Sequence, residues 1–525
     1  MVRIPANTLV IRADASIAIA TGHVMRCLAL AQAWQDTGGY VVFAMAESTP
    51  SIDARLQSEG MEFVRLQADP NSAKDATDTA ALAHDRDAAW VVADGYRFDS
   101  EYQLNLKNSG LKLLFVDDMG QCAHYFADLV LNQNVHANER MYANRESSTR
   151  LLLGSGFAML RRDFKSWSEW KREINPKGSK VLVMMGGSDP CNVTALVLEA
   201  LDQVLVNDLQ VIAVVGGSNP NVDVLKRFAS QSPATRFVRD AANMPELMAW
   251  ADIAVSAAGS TCAEMRLLGL PAILIDLAEN QTQVAHELNR RRAAIHIGSS
   301  REVTAAQIAD AVESLLLSKG DRMSLSQHSR ELIDGIGADR VAAAIRYGDL
   351  RLRRVAENDC RQLWEWANDP EIRPVSFDTE PIPWTRHVEW FNSKLCDPDA
   401  VLYLVVDAQE TPAGQVRFQI NDVRAAVSIS LARPFRGKGL GTRILAMATE
   451  ELFQASAVRQ IDAYVKPNNL QSLRLFARAG YANKGIEIMS GHPAVHFILE
   501  NKTTGREPQA REINLVRLCA MDENE

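Results

Sequence analysis

Short apolar runs rich in β-branched residues, each followed by an amphipathic or alanine-rich stretch, recur from residue 8 to about 150 and then start again near 179. The first series is "TLVIRAD" (8–14), "YVVFAMA" (40–46), "EFVRL" (62–66), "AWVVADG" (89–95), "LKLLFVDD" (111–118) and "ADLVLNQN" (127–134). Runs of this length without polar alternation read as parallel strands buried on both faces, and the stretches between them as helices. The second series is "SKVLVMMGGSDP" (179–190), "LQVIAVVGGSNP" (209–220), "TRFVRD" (235–240), "ADIAVSAAGST" (251–261) and "LPAILID" (270–276), closed by helical stretches to about 347. Two doubly wound α/β domains follow, spanning 1–160 and 161–347, with "LLLGSGFAMLRRDF" (151–164) as the crossing between them. Such domains take their ligand in the crevice at the carboxyl ends of the strands.

The pattern changes at "RYGDLRLRRVAENDCRQLWEWAND" (346–369). Strands become longer and alternate, as in "LYLVVD", "GQVRFQI" and "AVSISLA", and Trp364, Trp366, Trp384 and Trp390 cluster. An antiparallel or mixed α+β domain is expected over 348–502, with a polar tail at 503–525. The tryptophans suit core positions or the walls of an acceptor pocket.

At 525 residues the chain exceeds what one hydrophobic core supports. Its net charge of −9 and the lack of any Lys/Arg block argue against a nucleic-acid partner. The 7 cysteines (Cys27, Cys122, Cys191, Cys262, Cys360, Cys396, Cys519) are scattered and form no C-x-x-C pair, which fits neither a disulfide framework nor a zinc site. Arg3, Arg12 and Asp14 interrupt the apolar N-terminus, and no run reaches membrane-spanning length. A cytoplasmic protein that needs neither membrane nor metal is the expectation.

His23 follows Gly22 on the first turn of a helix whose apolar face is Val24, Leu28, Ala31 and Trp34. The unpaired N–H groups and positive dipole of a helix start disfavour imidazolium, so a histidine here tends to stay neutral and available as a base. Position alone also suits an ordinary loop histidine. In "MMGGSDP" (184–190) a strand ends in Gly186, Gly187 and Ser188 before a helix start, and Gly259, Ser260 and Thr261 repeat the device, with Glu264 on the following turn. Glycines let backbone amides approach a phosphate, and a nearby carboxylate accepts from ribose hydroxyls. Two such turns in one domain favour a nucleotide over two ordinary tight turns, while neither a G-x-G-x-x-G nor a Walker lysine is present.

"GSTCAEMRLLGLPAILIDLAENQ" resembles the UDP-binding segment of glycosyltransferases of the two-Rossmann, GT-B type. "IRADASIAIATGHVMRCLALA" (11–31), with "ADGYRFD" (93–99), "FVDDMG" (115–120), "LNQN" (131–134) and "MGGSDP", resembles the UDP-sugar hydrolases of pseudaminic acid biosynthesis over residues 8 to about 345. Those enzymes act on UDP-2,4-diacetamido-2,4,6-trideoxy-β-L-altropyranose. The resemblance implies that His23 acts on the attacking water and that Tyr96, in a D-G-Y where D-S-Y is more usual, lies near the sugar. Ser260, Thr261, Glu264, Asn280 and Gln281 are then expected around UDP. Gly22, Asp94, Asn132, Gly186, Gly187, Ser188 and Gly259 complete that lining.

In the last third, R-G-K-G-L-G (436–441) follows a strand and opens a helix, and "IDAYVKPNNLQSLRLFARAGY" (461–481) comes after it. Together these resemble the coenzyme A cradle and the next strand and helix of the GNAT acetyltransferases, over about 350–500. The resemblance implies acetyl-CoA as co-substrate. Its thioester would lie on the strand 427–431, with Ser430 and Leu431. Its pyrophosphate would lie on Arg436, Gly437, Lys438, Gly439, Leu440, Gly441 and Thr442, and its pantetheine near Asn469 and Ser472. Phe476 stands where many members have a tyrosine that protonates the leaving thiolate. The two resemblances together imply a bifunctional enzyme that acetylates the 4-amino group of a UDP-amino sugar and hydrolyses the product. The alternative is a glycosyltransferase fused to a non-catalytic coenzyme A-binding module.

Overall fold

The computed structural model describes residues 7–16, 19–232, 234–407, 410–489 and 491–501; the polar tail expected at 503–525 lies outside them. The chain divides between Ile345 and Arg346 into two compact units.

The first unit holds two wholly parallel sheets. In the first, β1 (Thr8–Ala13), β2 (Tyr40–Met45), β3 (Glu62–Arg65), β4 (Trp90–Asp94), β5 (Lys112–Val116), β6 (Leu129–Asn132) and β7 (Arg150–Leu153) lie in the order β3-β2-β1-β4-β5-β6-β7. The alternation along β1 explains the layering. Leu9 and Ile11 join the core under the helix Gly22–Gln35, whereas Val10 joins Val42 and Val91 on the opposite face. In the second sheet, β8 (Lys180–Met184), β9 (Gln210–Val215), β10 (Thr235–Arg239), β11 (Ile253–Ala257), β12 (Ala272–Asp276) and β13 (Ile295–Ser299) run β10-β9-β8-β11-β12-β13. It too has a core on each face. Both are Rossmann-like sheets, and each has its reversal of strand order at one place, β1/β4 in the first and β8/β11 in the second. A crevice opens at such a point, and ligands bind there.

Four features depart from the sequence reading. The runs at 62–66 and 235–240 form edge strands that are only half-buried, because a short apolar run does not distinguish the edge of a sheet from its middle. The start of the expected crossing, Arg150–Leu153, is a seventh strand of the first sheet. The helix Gly337–Arg346, grouped by sequence with the second domain, packs Ala338, Val341, Ala342 and Ile345 into the first core. The strand at 295–299 adds an unforeseen edge to the second sheet.

The second unit is one mixed sheet. Its strands β14 (Arg351–Arg354), β15 (Ala400–Val406), β16 (Pro412–Asn421), β17 (Arg424–Leu431), β18 (Gln460–Val465), β19 (Ala482–Met489) and β20 (His492–Glu500) lie in the order β14-β15-β16-β17-β18-β20-β19. All neighbours are antiparallel except β17 and β18. That parallel pair is joined only from Arg424 to Ala426, although β17 continues to Leu431 paired with β16. The sheet therefore splits after Ala426.

Candidate functional site

His23 lies on the first turn of the helix that leaves β1, and Asp94 is the last residue of the neighbouring strand β4, opposite Ala13. The first switch point thus brings them together. His23 Nδ1 lies 2.6 Å from Asp94 Oδ1. Arg26, one helical turn further on, donates Nε to Asp94 Oδ2 and Nη2 to Oδ1, both at 2.6 Å, and Nη1 to Asp118 Oδ2 at 2.5 Å. Cys27 Sγ adds a contact to Asp94 at 3.3 Å. Burial alone would raise the Asp94 carboxyl, but the Arg26 charge and His23 outweigh it and hold it well below the ordinary carboxylate range. An ionised carboxylate only accepts, so Nδ1 of His23 carries the proton it donates, and in the neutral ring the lone pair is the one on Nε2. The environment of His23 is thus more than the helix terminus expected from sequence, because a buried carboxylate fixes its tautomer. Asp94, expected to line the ligand, is buried beneath His23 instead.

Tyr96 packs edge-on against the His23 ring, centroids 4.6 Å apart. Its Oη accepts from Asn280 Nδ2 at 2.6 Å and donates to Asp118 Oδ2 at 3.4 Å. Burial and the Asp118 carboxylate push the phenol up to about 12, which keeps it a neutral donor. Asn280 belongs to the helix Glu279–Arg290 after β12, so the second half of the unit reaches the His23 cluster. Asn132 is buried one layer back: it donates to Tyr142 Oη at 2.8 Å, and its Oδ1 accepts from the Asn134 amide. Asn134 in turn holds Asp118 Oδ1 at 2.8 Å.

The two glycine turns leave β8 and β11 at the second switch point. A Cβ on Gly187 would come within 2.8 Å of Thr21 Oγ1, and one on Gly22 would lie 4.0 Å from Ser260 Oγ, so both turns face the start of the His23 helix. The first turn differs from expectation. Its helix begins at Val193, and the amides of Val193 and Thr194 are already bonded to Asp189, so that helix start is closed to a phosphate. Gly186 has φ +79° and so answers to backbone geometry, while Gly187 lies against Thr21 and leaves room only for a glycine at Gly216, whose Cβ would come within 2.4 Å of the Gly187 carbonyl oxygen; Ser188 is buried beside them. At the second turn, Ser260 is exposed, Thr261 is half-buried and Gly259 lies beside Gln281. Gln281 Oε1 accepts from the Leu277 amide. Glu264 Oε1 is paired with Arg161 Nη2 at 3.0 Å, leaving Oε2 for another donor. Arg26, Asp118, Asn134 and Arg161 were missed by sequence reasoning. Arg26 at i+3 from His23 and the "VDD" end of β5 were the available signals.

In the second unit, Gly437 (φ +72°) and Gly439 (φ +71°) take the left-handed turn into the helix Leu440–Ala455, and a Cβ on Gly437 would meet open space. Gly441 is explained by packing, since its Cβ would meet Leu475 at 2.5 Å. The Arg436 guanidinium, expected on pyrophosphate, is engaged by Leu431 O at 2.8 Å, Asp369 at 2.9 Å and Glu371 at 3.0 Å. It anchors the turn and leaves any anion to the amides. Lys438 Nζ lies over the Tyr347 ring, while Leu440 is buried and Thr442 half-buried on the first helical turn. Ser430 Oγ accepts from Gln415 at 3.2 Å, and Asn469 caps the helix Leu470–Arg478 through the Ser472 amide. Phe476 is core, stacked on Phe497 and edge-on to Tyr481.

This architecture matches two families. Residues 181–335 match the glycosyltransferase family 28 C-terminal domain, and residues 349–482 match the acetyltransferase (GNAT) domain. The chain therefore joins a unit of two Rossmann-like domains to a GNAT acetyltransferase fold. More particularly, its first unit is homologous to the UDP-2,4-diacetamido-2,4,6-trideoxy-beta-L-altropyranose hydrolase of Campylobacter jejuni, 24% identical over 53% of this chain and 95% of the relative. An uncharacterized protein of Methanocaldococcus jannaschii aligns with nearly the whole length, 23% identical over 89% of this chain and 95% of its own. Among solved structures, an aminoglycoside acetyltransferase in complex with coenzyme A is 23% identical with a TM-score of 0.27, covering 29% of this chain and 95% of that one. Among the described residues no helix is long and apolar enough to cross a membrane, and no group of His, Cys, Asp and Glu could hold a metal ion.

Proposed function

We propose that the first unit hydrolyses a UDP-linked diacetamido sugar to UDP and the free sugar, and that the second acetylates the 4-amino group of its UDP-amino-sugar precursor with acetyl-CoA. The observation that carries the first half is the His23–Asp94 pair at the switch point, with Tyr96 packed on the same ring and bonded through its hydroxyl to Asn280. Nε2 of His23 takes a proton from water as its oxygen attacks the anomeric carbon. The bond from that carbon to the UDP oxygen breaks, and the electron pair leaves with the diphosphate. Asp94 and Arg26 hold the imidazole in register through the transfer. UDP rests against the 259–261 turn, with Oε2 of Glu264 toward the ribose. The name of the Campylobacter relative supports the substrate class.

For the second half, support comes from the split after Ala426 and the left-handed turn at Gly437 and Gly439. Acetyl-CoA lies with its thioester along 427–431 and its pyrophosphate on the amides of 436–442. The match to glycosyltransferase family 28 favours a second reading of the first unit, in which the sugar passes to an acceptor other than water. One experiment separates the two: mass spectrometry of the products from a panel of UDP-4-amino sugars with acetyl-CoA and water as the only other acceptor. Free acetamido sugar, UDP and coenzyme A are the expected products. UDP-acetamido sugar that accumulates unhydrolysed overturns the hydrolase assignment.

A further inference from the structure

In the second unit Arg353 is paired with Asp359, Arg424 with Asp462, and Arg436 with Asp369 and Glu371. Arg417, in the middle of β16, and Arg373, on the short turn Arg373–Val375, are held differently. Among the described residues Arg417 has no hydrogen bond or ion pair, and its guanidinium lies over the ring of Trp390, 5.3 Å from the centroid. Arg373 gives Nη1 to the Ala367 carbonyl at 3.4 Å and Nη2 to that of Asp378, and its Nε is buried without a partner. Neither charge is met by a carboxylate. Desolvation, and then the like charge of Arg373, lower the Arg417 guanidinium from its ordinary value, while the residue still reaches solvent.

The register puts this pair beside the stretch 427–431, along which the thioester is proposed to lie. Arg417 is opposite Ser428 of β17. Strand alternation sets Gln415, Arg417 and Gln419 on one face of the sheet. Gln419 accepts from Lys394 of the helix Trp384–Leu395 at 2.7 Å, and Gln415 donates to Ser430 Oγ at 3.2 Å. The face that bears Arg417 is therefore the one on which Trp390 stands and to which Ser430 turns. Arg373 comes from the segment whose Asp369 and Glu371 hold Arg436 at the glycine turn.

We propose that Arg417 and Arg373 hold the diphosphate of the UDP-linked acceptor during acetyl transfer, with Trp390 as the surface that orients the Arg417 fork. This inference rests on the acetyltransferase reading of the second unit and adds to it the group by which the acceptor is recognised. Two cations left without carboxylates repel each other, and folding alone gains nothing from their approach. The diphosphate of a UDP-sugar carries a negative charge on each phosphorus and accepts forked N–H bonds, so it offsets both. The sugar then extends from the diphosphate toward β17 and the thioester. A free 4-amino sugar is a cation without phosphates, and the same two charges repel it. The pair therefore selects the nucleotide-linked sugar over the free one. Coenzyme A carries phosphates as well, and kinetics with the two substrates varied separately tell the sources apart.

The test is initial-rate acetyl transfer by the full chain, read as thiol release, with a UDP-4-amino sugar and acetyl-CoA varied in turn and UDP added as inhibitor. In the wild type UDP is expected to compete with the amino sugar and not with acetyl-CoA. Arg417→Gln is expected to raise the KM for the amino sugar and the inhibition constant of UDP together, by about 10-fold or more, with the KM for acetyl-CoA unchanged. Arg417→Lys, which keeps the charge but not the fork, is expected to recover part of the loss. Damage to packing alone would instead lower kcat and leave the inhibition by UDP as it was. That result, unchanged constants, or a wild type in which UDP does not compete with the amino sugar overturns this inference alone. So does a rise confined to the KM for acetyl-CoA, which would put the arginines on the coenzyme's phosphates. A wild-type chain that binds acetyl-CoA but acetylates no amino sugar overturns the acetyltransferase reading, and this inference with it.

Discussion

The two candidate sites are built from different materials. Around His23 the working parts are side chains: an imidazole, a guanidinium and two carboxylates, buried and bonded to one another at 2.5–2.6 Å. At the turn 436–442 they are backbone amides, shaped by two glycines in the left-handed region, and the Arg436 guanidinium is tied to Asp369 and Glu371. A side-chain site is vulnerable to loss of one functional group, which leaves its buried partners uncompensated. A backbone site is vulnerable to a Cβ where φ is positive, and tolerates changes of side-chain chemistry.

Five substitutions can break this contrast. The largest effect is expected for His23→Ala, which should lower UDP release by about 100-fold or more, the usual worth of a positioned base, while acetyl transfer stays at the wild-type rate. Equal loss of both activities would remove the assignment. Next, Asp94→Asn leaves Arg26 with one carboxylate in place of two and should destabilise the first unit by about 3 kcal/mol in denaturant unfolding. The sign of its pH dependence is set by the lowered Asp94 carboxyl. Its contribution is fully present above the unfolded value, about 4, and is lost as pH falls through the lower folded value. The wild type should therefore lose stability in acid more steeply than Asp94→Asn.

A smaller effect is expected on the backbone side. Gly439→Ala places a Cβ at φ +71°. A strain of about 1–2 kcal/mol should raise the KM for acetyl-CoA roughly 5- to 30-fold and leave UDP release unchanged. Arg436→Lys, which keeps a cation at the turn but loses the forked bonds, tests the same point: an effect on acetyl-CoA binding larger than that of Gly439→Ala would contradict a site made of amides. The smallest is Glu264→Gln, which should weaken UDP binding about 2- to 10-fold by calorimetry through one altered hydrogen bond. Unchanged affinity would place the ribose elsewhere.

The contrast also explains what the sequence discloses. Parallel strands buried on both faces write themselves as continuous apolar runs, so β1, β4, β5, β8, β11 and β12 were legible, whereas their order, and with it the switch points, was not. Edge strands carry the same letters, and β13 escaped notice. The glycine turns were visible because left-handed geometry selects the residue. Yet "GGSDP" and "RGKGLG" look alike on paper, while Asp189 closes one helix start and both left-handed glycines open the other. His23 could be singled out by its place after a strand. Its partners could not, since Asp94 is 71 residues away and Asp118 lies 92 residues from Arg26. The return of the helix Gly337–Arg346 to the first core is a property of chain path, for which amphipathic spacing holds no signal.

The central claim is that one chain runs two consecutive steps, acetylation and then hydrolysis. A pocket shaped for a neutral acetamide must desolvate a cationic 4-amine and leave its own polar groups mispaired, at a cost of about 2–4 kcal/mol. The most direct measurement is kcat/KM for UDP release by the wild-type chain from the 4-amino and the 4-acetamido forms of the same UDP-sugar, with acetyl-CoA absent. The acetamido form is expected to be preferred by roughly 30-fold or more. Equal values for the two forms would contradict a fixed order of steps and with it the reason for joining the two units in one chain.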